Sequence, residues 1–363
     1  KSLYCLGLSV GITAASAPNM SASTHQKVLG VAIAGLGRLG QRHAIQLARR
    51  PPNAQLVAVC SPVPTELEWA RDTLAVDGRY DALSELLVDP LVDAVILATP
   101  TSLHADQAIA CLRAGKHVFV EKPLSLDVAA CEAVEAVARD CPDQVIMVGF
   151  VRRFDASYLE AKAAIDCGDI GTPFWVRSQT CDRYDPDGFF VGFAATSGGI
   201  FMDCAVHDID LARWFLGNPK AVRVFATGMI AMYPDLAVHG DVDNGLAVVE
   251  FDGGQRAVFY VSRTMPHGHE TTTEVIGSGG TLQIGMGAHA SRVAYRHSSG
   301  VSHRVVPDFF ARFEQAFQTE LVAFVDACRG VRPVSLTLRD ATEATRIGQA
   351  IALSLTTGTP VNL

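Results

Sequence analysis

Three short groups of residues in this chain could do chemistry together. In Ser197-Gly198-Gly199-Ile200-Phe201-Met202-Asp203-Cys204-Ala205-Val206-His207-Asp208-Ile209-Asp210, Asp203 and His207 stand four residues apart. That spacing puts them on one face of a helix, which Gly217 and Pro219 stop. Asp210 and Trp214 continue the face, while Phe201, Ala205, Ile209, Ala212, Phe215 and Leu216 fall away from it as core. An acid beside an imidazole raises its basicity and orients the ring, which suits a proton acceptor near neutral pH. Lys122, in Glu121-Lys122-Pro123, follows the apolar β-rich run His117–Val120. At the carboxyl end of a parallel strand a lysine points into the crevice where doubly wound sheets bind ligands, and the proline stiffens its turn. A positively charged ligand bound nearby favours the neutral amine. Arg152 and Arg153 offer forked donors suited to polyhydroxylated or anionic ligands. Each group also has a plain structural reading: a solvated lysine at a strand end, an Asp–His pair capping its own helix, and interdomain salt bridges.

These groups need a frame, and the first half of the chain reads as a nucleotide-binding βαβ unit. Val28–Ala34 is a buried-strand pattern; Gly35-Leu36-Gly37-Arg38-Leu39-Gly40 follows, then a helix that runs to Arg49-Arg50 and stops at Pro51-Pro52. Strand, glycine turn and helix is the context a G-x-G-x-x-G match requires. Gly35 permits the tight turn, Gly37 lets the backbone approach a pyrophosphate, and Gly40 allows close helix–strand packing. The helix amino terminus supplies free N–H groups and the positive end of its dipole. Gln55–Cys60 is the second strand, ending at Ser61, where an acid for the ribose of NAD is expected. Cys60-Ser61-Pro62 stands there instead, with Glu66 the nearest acid and Arg71 the next cation. Arg38 could reach a pyrophosphate or a 2′-phosphate, so both NAD and NADP stay open. Ala94–Ala98 leads into Thr99-Pro100-Thr101-Ser102, a turn and N-cap before a helix through Ala114 that Gly115 ends. His104, in that helix's first turn, either contacts the nicotinamide region or makes an ordinary polar contact. Leu126–Arg139 reads as a helix and Gln144–Phe150 as the last strand.

The second half changes character. Val222–Met229, Gly245–Phe251, Ala257–Thr264, Thr271–Ile276 and Thr281–Ile284 read as strands separated by turns such as Asp252-Gly253-Gly254 and Gly277-Ser278-Gly279-Gly280. They predict an open, mainly antiparallel sheet with the Asp203 helix on one face. A long helix follows, carrying Phe310, Phe313, Phe317, Leu321, Phe324 and Cys328 on one stripe, and a last helix over Arg339–Leu355 packs back on the nucleotide domain. The expected organisation is a tail over 1–27, an α/β dinucleotide domain over 28–150, an α+β domain over 151–338 and the returning helix over 339–363. With 363 residues, 49% of them hydrophobic, and a net charge of −8, the chain has room for two cores and no nucleic-acid signature. Nine scattered cysteines without a C-x-x-C pair argue against a zinc site and a disulfide framework, and for a reducing compartment. Leu3–Ala17 is apolar and ends in Ala15-Ser16-Ala17, like a cleavage site, yet it is too short to span a bilayer. Met20 would be a natural start, so a disordered or upstream-derived tail is expected over a signal peptide, and a cytoplasmic setting with it.

Together these residues resemble the Gfo/Idh/MocA oxidoreductases, and within them the inositol 2-dehydrogenase branch. The resemblance runs from Val28 onward through the Gly35–Gly40 turn, Ala98–His104, Ala114-Gly115-Lys116-His117-Val118, Glu121-Lys122-Pro123, Arg152-Arg153 and Asp203-x-x-x-His207-x-x-Asp210. It implies a Rossmann domain followed by an open-sheet domain that pairs subunits, as a dimer or tetramer. It implies that Lys122, Asp203 and His207 are catalytic, and that Arg152 joins them in holding a cyclitol or sugar. NAD or NADP would then contact Gly35, Leu36, Gly37, Arg38, Leu39, Gly40, Ser61, Thr99, Pro100, His104, Glu121 and Lys122. The reaction expected is reversible oxidation of a secondary alcohol: His207, oriented by Asp203, takes the proton while Lys122 stabilises charge on the oxygen. The polar loop Asp182-Arg183-Tyr184-Asp185 could hold further hydroxyls. Two rivals remain, a non-catalytic dinucleotide- or sugar-binding regulator and a nicotinamide-dependent glycoside-cleaving enzyme. No metal and no membrane is expected in any of these readings.

Overall fold

The computed structural model describes residues 28–363 except Arg50, Pro52 and Ala288; the expectations for the amino-terminal tail lie outside the described residues. Leu29–Ala34 is buried along its whole length, as a parallel strand covered on both faces must be. This strand (β1) leads through the glycine turn into α1 (Arg38–Ala48), then β2 (Ala54–Cys60), α2 (Pro64–Leu74), β3 (Gly78–Tyr80), α3 (Leu83–Leu87), β4 (Ala94–Leu97), α4 (Thr101–Arg113), β5 (His117–Glu121), α5 (Val128–Asp140) and β6 (Ile146–Gly149). The six strands pair in parallel in the order β3-β2-β1-β4-β5-β6. The order reverses between β1 and β4, so the ligand crevice opens at their carboxyl ends. Lys122 follows the last residue of β5, at that edge.

After a 3₁₀ turn over Val151–Phe154 come α6 (Ala156–Asp166), β7 (Pro173–Arg183), α7 (Phe189–Ser197), α8 (Ile200–Asp203), α9 (Ala205–Phe215), β8 (Ala221–Met229), β9 (Asn244–Phe251), β10 (Arg256–Met265), β11 (Glu270–Gly277), β12 (Thr281–Ile284) and the hairpin β13 (His289–His297) and β14 (Gly300–Val305). The chain ends with α10 (Phe309–Cys328), α11 (Leu338–Thr357) and β15 (Val361–Asn362). The second sheet has the order β12-β11-β7-β10-β9-β8-β15, and α9 lies on its inner face against β7 and β10. The strands expected from the sequence are present. The sheet is mainly antiparallel, as expected, with one parallel pair where β7 enters its middle beside β10.

Two differences from the sequence reading have physical causes. Asp182 and Arg183 belong to β7 and not to a loop. The inward side chains Ser178 and Thr180 are hydroxyls that bond Asp208, so the strand lacks apolar alternation. The helix expected to run unbroken past Asp203 is divided: Gly198 and Gly199, at φ +77° and +83°, separate α7 from α8, and Cys204 separates α8 from α9.

α10 crosses the back of β5. The rings of Phe119 and Phe324 meet edge to face at 5.7 Å. Beside them His43 Nε2 and Glu121 Oε1 are 2.7 Å apart, and Glu320 is fully buried with neither carboxylate oxygen partnered. Burial, with the Glu121 charge adding to it, pushes the Glu320 carboxyl well above the usual carboxylate range. A carboxyl raised in the folded state stabilises the fold only below its unfolded value, about 4.3, and its contribution is lost as pH rises toward the folded value. Glu320→Gln removes that dependence. The melting temperature of the variant relative to the parent should therefore climb by about a few degrees between pH 4 and pH 8. A constant difference in thermal melts across that range would show Glu320 to be ionised in the folded chain.

Candidate active site

The crevice of the first sheet and the inner face of the second enclose one cavity of about 890 Å³. Lys122, Asp203, His207, Arg152, Thr99, Pro100, His104 and Glu121 all line it, as do Asp182 and His269. Lys122 Nζ donates to the Asp203 carbonyl at 2.8 Å and to Asp203 Oδ1 at 3.0 Å. The second carboxylate oxygen accepts from Arg263 Nη2 at 3.2 Å, and Arg263 Nη1 reaches Asp241 Oδ2 at 3.3 Å. Burial would raise the Asp203 carboxyl, but Lys122 and Arg263 outweigh it and hold the group below its usual value. Asp241 in turn accepts the Ile200 N–H at 2.9 Å, which fixes the start of α8.

His207 does not take its orientation from Asp203, contrary to the sequence reading. No hydrogen bond joins them: the Asp203 carboxylate is taken up by Lys122 and Arg263, and His207 Nδ1 is buried without a partner. The ring stands edge-on to Phe150, with centroids 6.1 Å apart. Burial holds its pKa well below the ordinary histidine value, and the charges of Arg152 and Lys122 act in the same direction. The imidazole is therefore neutral at neutral pH, although no carboxylate raises its basicity.

The arginine pair also differs from expectation. Arg152 is buried, with Nη1 on Asp208 Oδ1 at 2.9 Å and Nη2 on Thr180 Oγ1 at 2.6 Å. Its donors orient α9 against β7 before any hydroxyl could use them. Arg153 holds both Asp210 oxygens, at 2.8 and 2.6 Å, and lies over the Trp214 ring; this is the salt-bridge reading. Sequence reasoning missed Arg263 and the pair His269–Asp182, in which Nδ1 is 2.9 Å from Oδ1. An arginine inside the otherwise apolar stretch of β10 was the available signal for the first. The second joins positions 87 residues apart and leaves no local trace.

The glycine turn has the shape a pyrophosphate requires. A Cβ at Gly35, where φ is +88°, would lie 2.6 Å from the Ala98 carbonyl oxygen, and one at Gly40 would lie 1.8 Å from that of Gly35. A Cβ at Gly37 meets no protein atom within 4 Å, so only a ligand contests that space. No side chain caps α1, and its first turn holds no acid, leaving its N–H groups to an anion. Leu36 is core. The Arg38 guanidinium lies 4.6 Å from the Phe189 ring centroid, and Leu39 joins the cavity wall. Ser61 is buried and bonded to Glu66. Thr99 Oγ1 donates to Gln107, and Pro100 rather than a side-chain cap precedes α4. His104 lines the cavity, and its Nδ1 and Nε2 sit 2.9 and 2.8 Å from the Pro123 and Thr99 carbonyl oxygens, so its N–H bonds one of the chain's own turns, which is the ordinary polar contact of the two readings.

The family model described as "Oxidoreductase family, NAD-binding Rossmann fold" matches residues 29–150, and the Gfo/Idh/MocA C-terminal domain matches residues 158–283. The chain belongs to the Gfo/Idh/MocA oxidoreductase family. It is 39% identical over 332 residues to the scyllo-inositol 2-dehydrogenase (NAD(+)) of Bacillus subtilis, covering 92% of this chain and 95% of the relative. It is 31% identical to the myo-inositol 2-dehydrogenase of Thermotoga maritima, over 90% and 96% of the two chains. The crystal structure of scyllo-inositol dehydrogenase from Lactobacillus casei with bound NAD(H) and scyllo-inositol superposes with a TM-score of 0.89 at 34% identity, covering 93% of this chain and 99% of that one. This Gfo/Idh/MocA member is thus a nicotinamide-dependent oxidoreductase resembling the inositol 2-dehydrogenases. The residues of the turn fit the dinucleotide that the family binds. Because Gly37→Val fills space that no protein atom uses, it should melt like the parent yet bind NADH at least about tenfold more weakly, about 1.4 kcal/mol, by calorimetry. Equal affinity would place the pyrophosphate elsewhere.

Proposed function

We propose that this chain oxidises a ring hydroxyl of an inositol or a closely similar polyol, reversibly, with NAD. The observation that carries the reading is the facing of two groups across one cavity: an ammonium held by Asp203 and a half-buried imidazole kept neutral by its surroundings. His207 accepts the hydroxyl proton. Lys122 donates to the same oxygen and offsets its negative charge as the carbon loses hydride. When bound, the oxidised nicotinamide supplies the hydride acceptor. Asp203 and Arg263 fix where the ammonium stands, and Arg152 holds α9 so that His207 faces the cavity. Asp182, on β7, presents a carboxylate to neighbouring hydroxyls. A sensor would have no use for a neutral base beside a fixed cation, and the relatives' names support the enzyme.

Three finer points belong to the same reading. NAD is favoured over NADP by the relatives named for it. The outer face of the second sheet carries exposed Phe225 and Leu246, which supports pairing of subunits through that face. Eight free cysteines among the described residues support a reducing, cytoplasmic setting, and no helix among them is long and apolar enough to cross a membrane.

Lys122→Ala should leave the fold intact and lower kcat with scyllo- or myo-inositol by roughly 10²–10³-fold; a loss under tenfold would reduce the lysine to a structural role. His207→Ala should cost roughly 10²–10⁴-fold. The depressed pKa of His207 fixes the sign of the pH dependence. The neutral base persists below the ordinary histidine range, so kcat/KM of the parent should stay level from pH 8 down through 6.5 and fall only at more acidic pH. An acidic limb centred at or above 6.5 would show that the imidazole is not held neutral as described.

A further inference from the structure

Three imidazoles of the described residues line the cavity. His104 faces the carbonyl oxygens of Pro123 and Thr99, and His207 is the base of the proposed oxidation. His269, one residue before β11, has no part in it yet. This ring is 2% exposed, its Nδ1 lies 2.9 Å from Asp182 Oδ1, and its Nε2 is buried without a partner in the chain. The carboxylate accepts the Nδ1 proton, which leaves Nε2 a lone pair in the cavity wall. Asp182 also ties this ring to the helix of His207. Its Oδ2 accepts the Cys204 thiol at 3.6 Å, three residues before His207.

The two rings differ in the charge each can hold. Burial does most to keep His207 neutral, then Arg152 and Lys122, and the charge of His269 acts the same way. Among the described residues no carboxylate bonds the His207 ring, so a proton taken there meets two cations and no acid. An imidazolium on His269 would instead meet Asp182 at hydrogen-bond distance. The proton that His207 takes thus has a better place to rest in the same cavity.

We infer that His269, held by Asp182, receives the substrate proton from His207 and stores it until the product leaves. The substrate O–H bond breaks as an N–H bond forms on His207, and the hydride passes from carbon to the nicotinamide as C=O forms. His207 becomes neutral again by giving its proton to an intervening hydroxyl, of water or of the polyol, whose own proton moves to His269 Nε2. Solvent takes that proton from Nε2 when the cavity empties, and the Nδ1 proton stays with Asp182. His269 acts through His207 and not on the reacting atoms. The inference rests on the oxidation proposed above.

The test is steady-state kinetics of the intact protein with scyllo- or myo-inositol and NAD, comparing His269→Gln, His269→Ala and Asp182→Asn. Glutamine keeps an acceptor for a hydroxyl but takes up no proton. Both His269 variants should lower kcat by about ten- to a hundredfold, less than a general base itself is worth, with little change in KM. Free imidazole should restore part of kcat to His269→Ala, which has room for it, and none to Asp182→Asn, whose ring is still in place. In mixtures of light and heavy water the rate of the parent should curve with deuterium content, and that of His269→Gln should be linear. If His269→Gln keeps the parental kcat, or if both variants raise KM alone, His269 only holds a hydroxyl and the inference fails. A lowered kcat that imidazole leaves unchanged, together with a lowered melting temperature, makes the residue structural and also overturns it. Unimpaired His269 variants beside an inactive His207→Ala would sink the proton store alone, whereas a His207→Ala with parental kcat would sink the proposed oxidation with it.

Discussion

A lysine that ends a buried strand needs a counter-charge, and here the counter-charge comes from the other half of the chain. Asp203 stands between Lys122 at the end of β5 and Arg263 in β10, with Asp241 behind the arginine. Desolvating these groups costs energy that their mutual attraction only roughly repays, so such a chain of charges is weak evidence for stability. It is strong evidence for placement. Removing any member leaves its neighbour buried and unpaired, which forces the two sheets to one spacing and the ammonium to one side of the cavity.

The same device recurs along the segment that carries His207. Asp208 is held by Arg152 with Thr180 and Ser178, and Asp210 by Arg153. Every acid from Asp203 to Asp210 is therefore matched by a cation from another element. His207 is the ionisable group of that segment whose buried nitrogen has no partner. Surrounded by matched charge and apolar rings, it gains nothing from protonation, and its neutrality follows from what its neighbours have already satisfied.

The parts of this protein that local pattern governs were legible in the sequence. The glycine turn, five of the six parallel strands and the antiparallel run from Val222 to Ile284 each rest on residues close together in the chain, whereas the three residues of β3 carry too short a pattern to read. The stripe from Phe310 to Phe324 is likewise buried as its spacing requires. What was hidden depends on contacts between distant segments. β7 buries hydroxyls in place of apolar residues because Asp208 needs them, so its alternation is chemical rather than hydrophobic. The hairpin of β13 and β14 is exposed along β14 and lacks a core-facing pattern. Asp203 and His207 were rightly brought to one cavity by their spacing, but the bond assumed between them gave way to Lys122 and Arg263, whose positions no local spacing encodes.

Arg38 shows how the two halves meet beyond the charged chain. Its backbone opens α1 at the glycine turn, while its guanidinium lies 4.6 Å from the Phe189 ring centroid and 5.7 Å from those of Phe309 and Phe310. Those rings belong to α7 and α10, outside the nucleotide domain. A guanidinium over several aromatic faces is held in orientation as well as in place, at about 0.5–2 kcal/mol for such a contact. The turn that receives the dinucleotide is thus braced by the wall of the cavity it faces. Arg38 joins the glycine turn to two helices of the other half of the chain through one side chain.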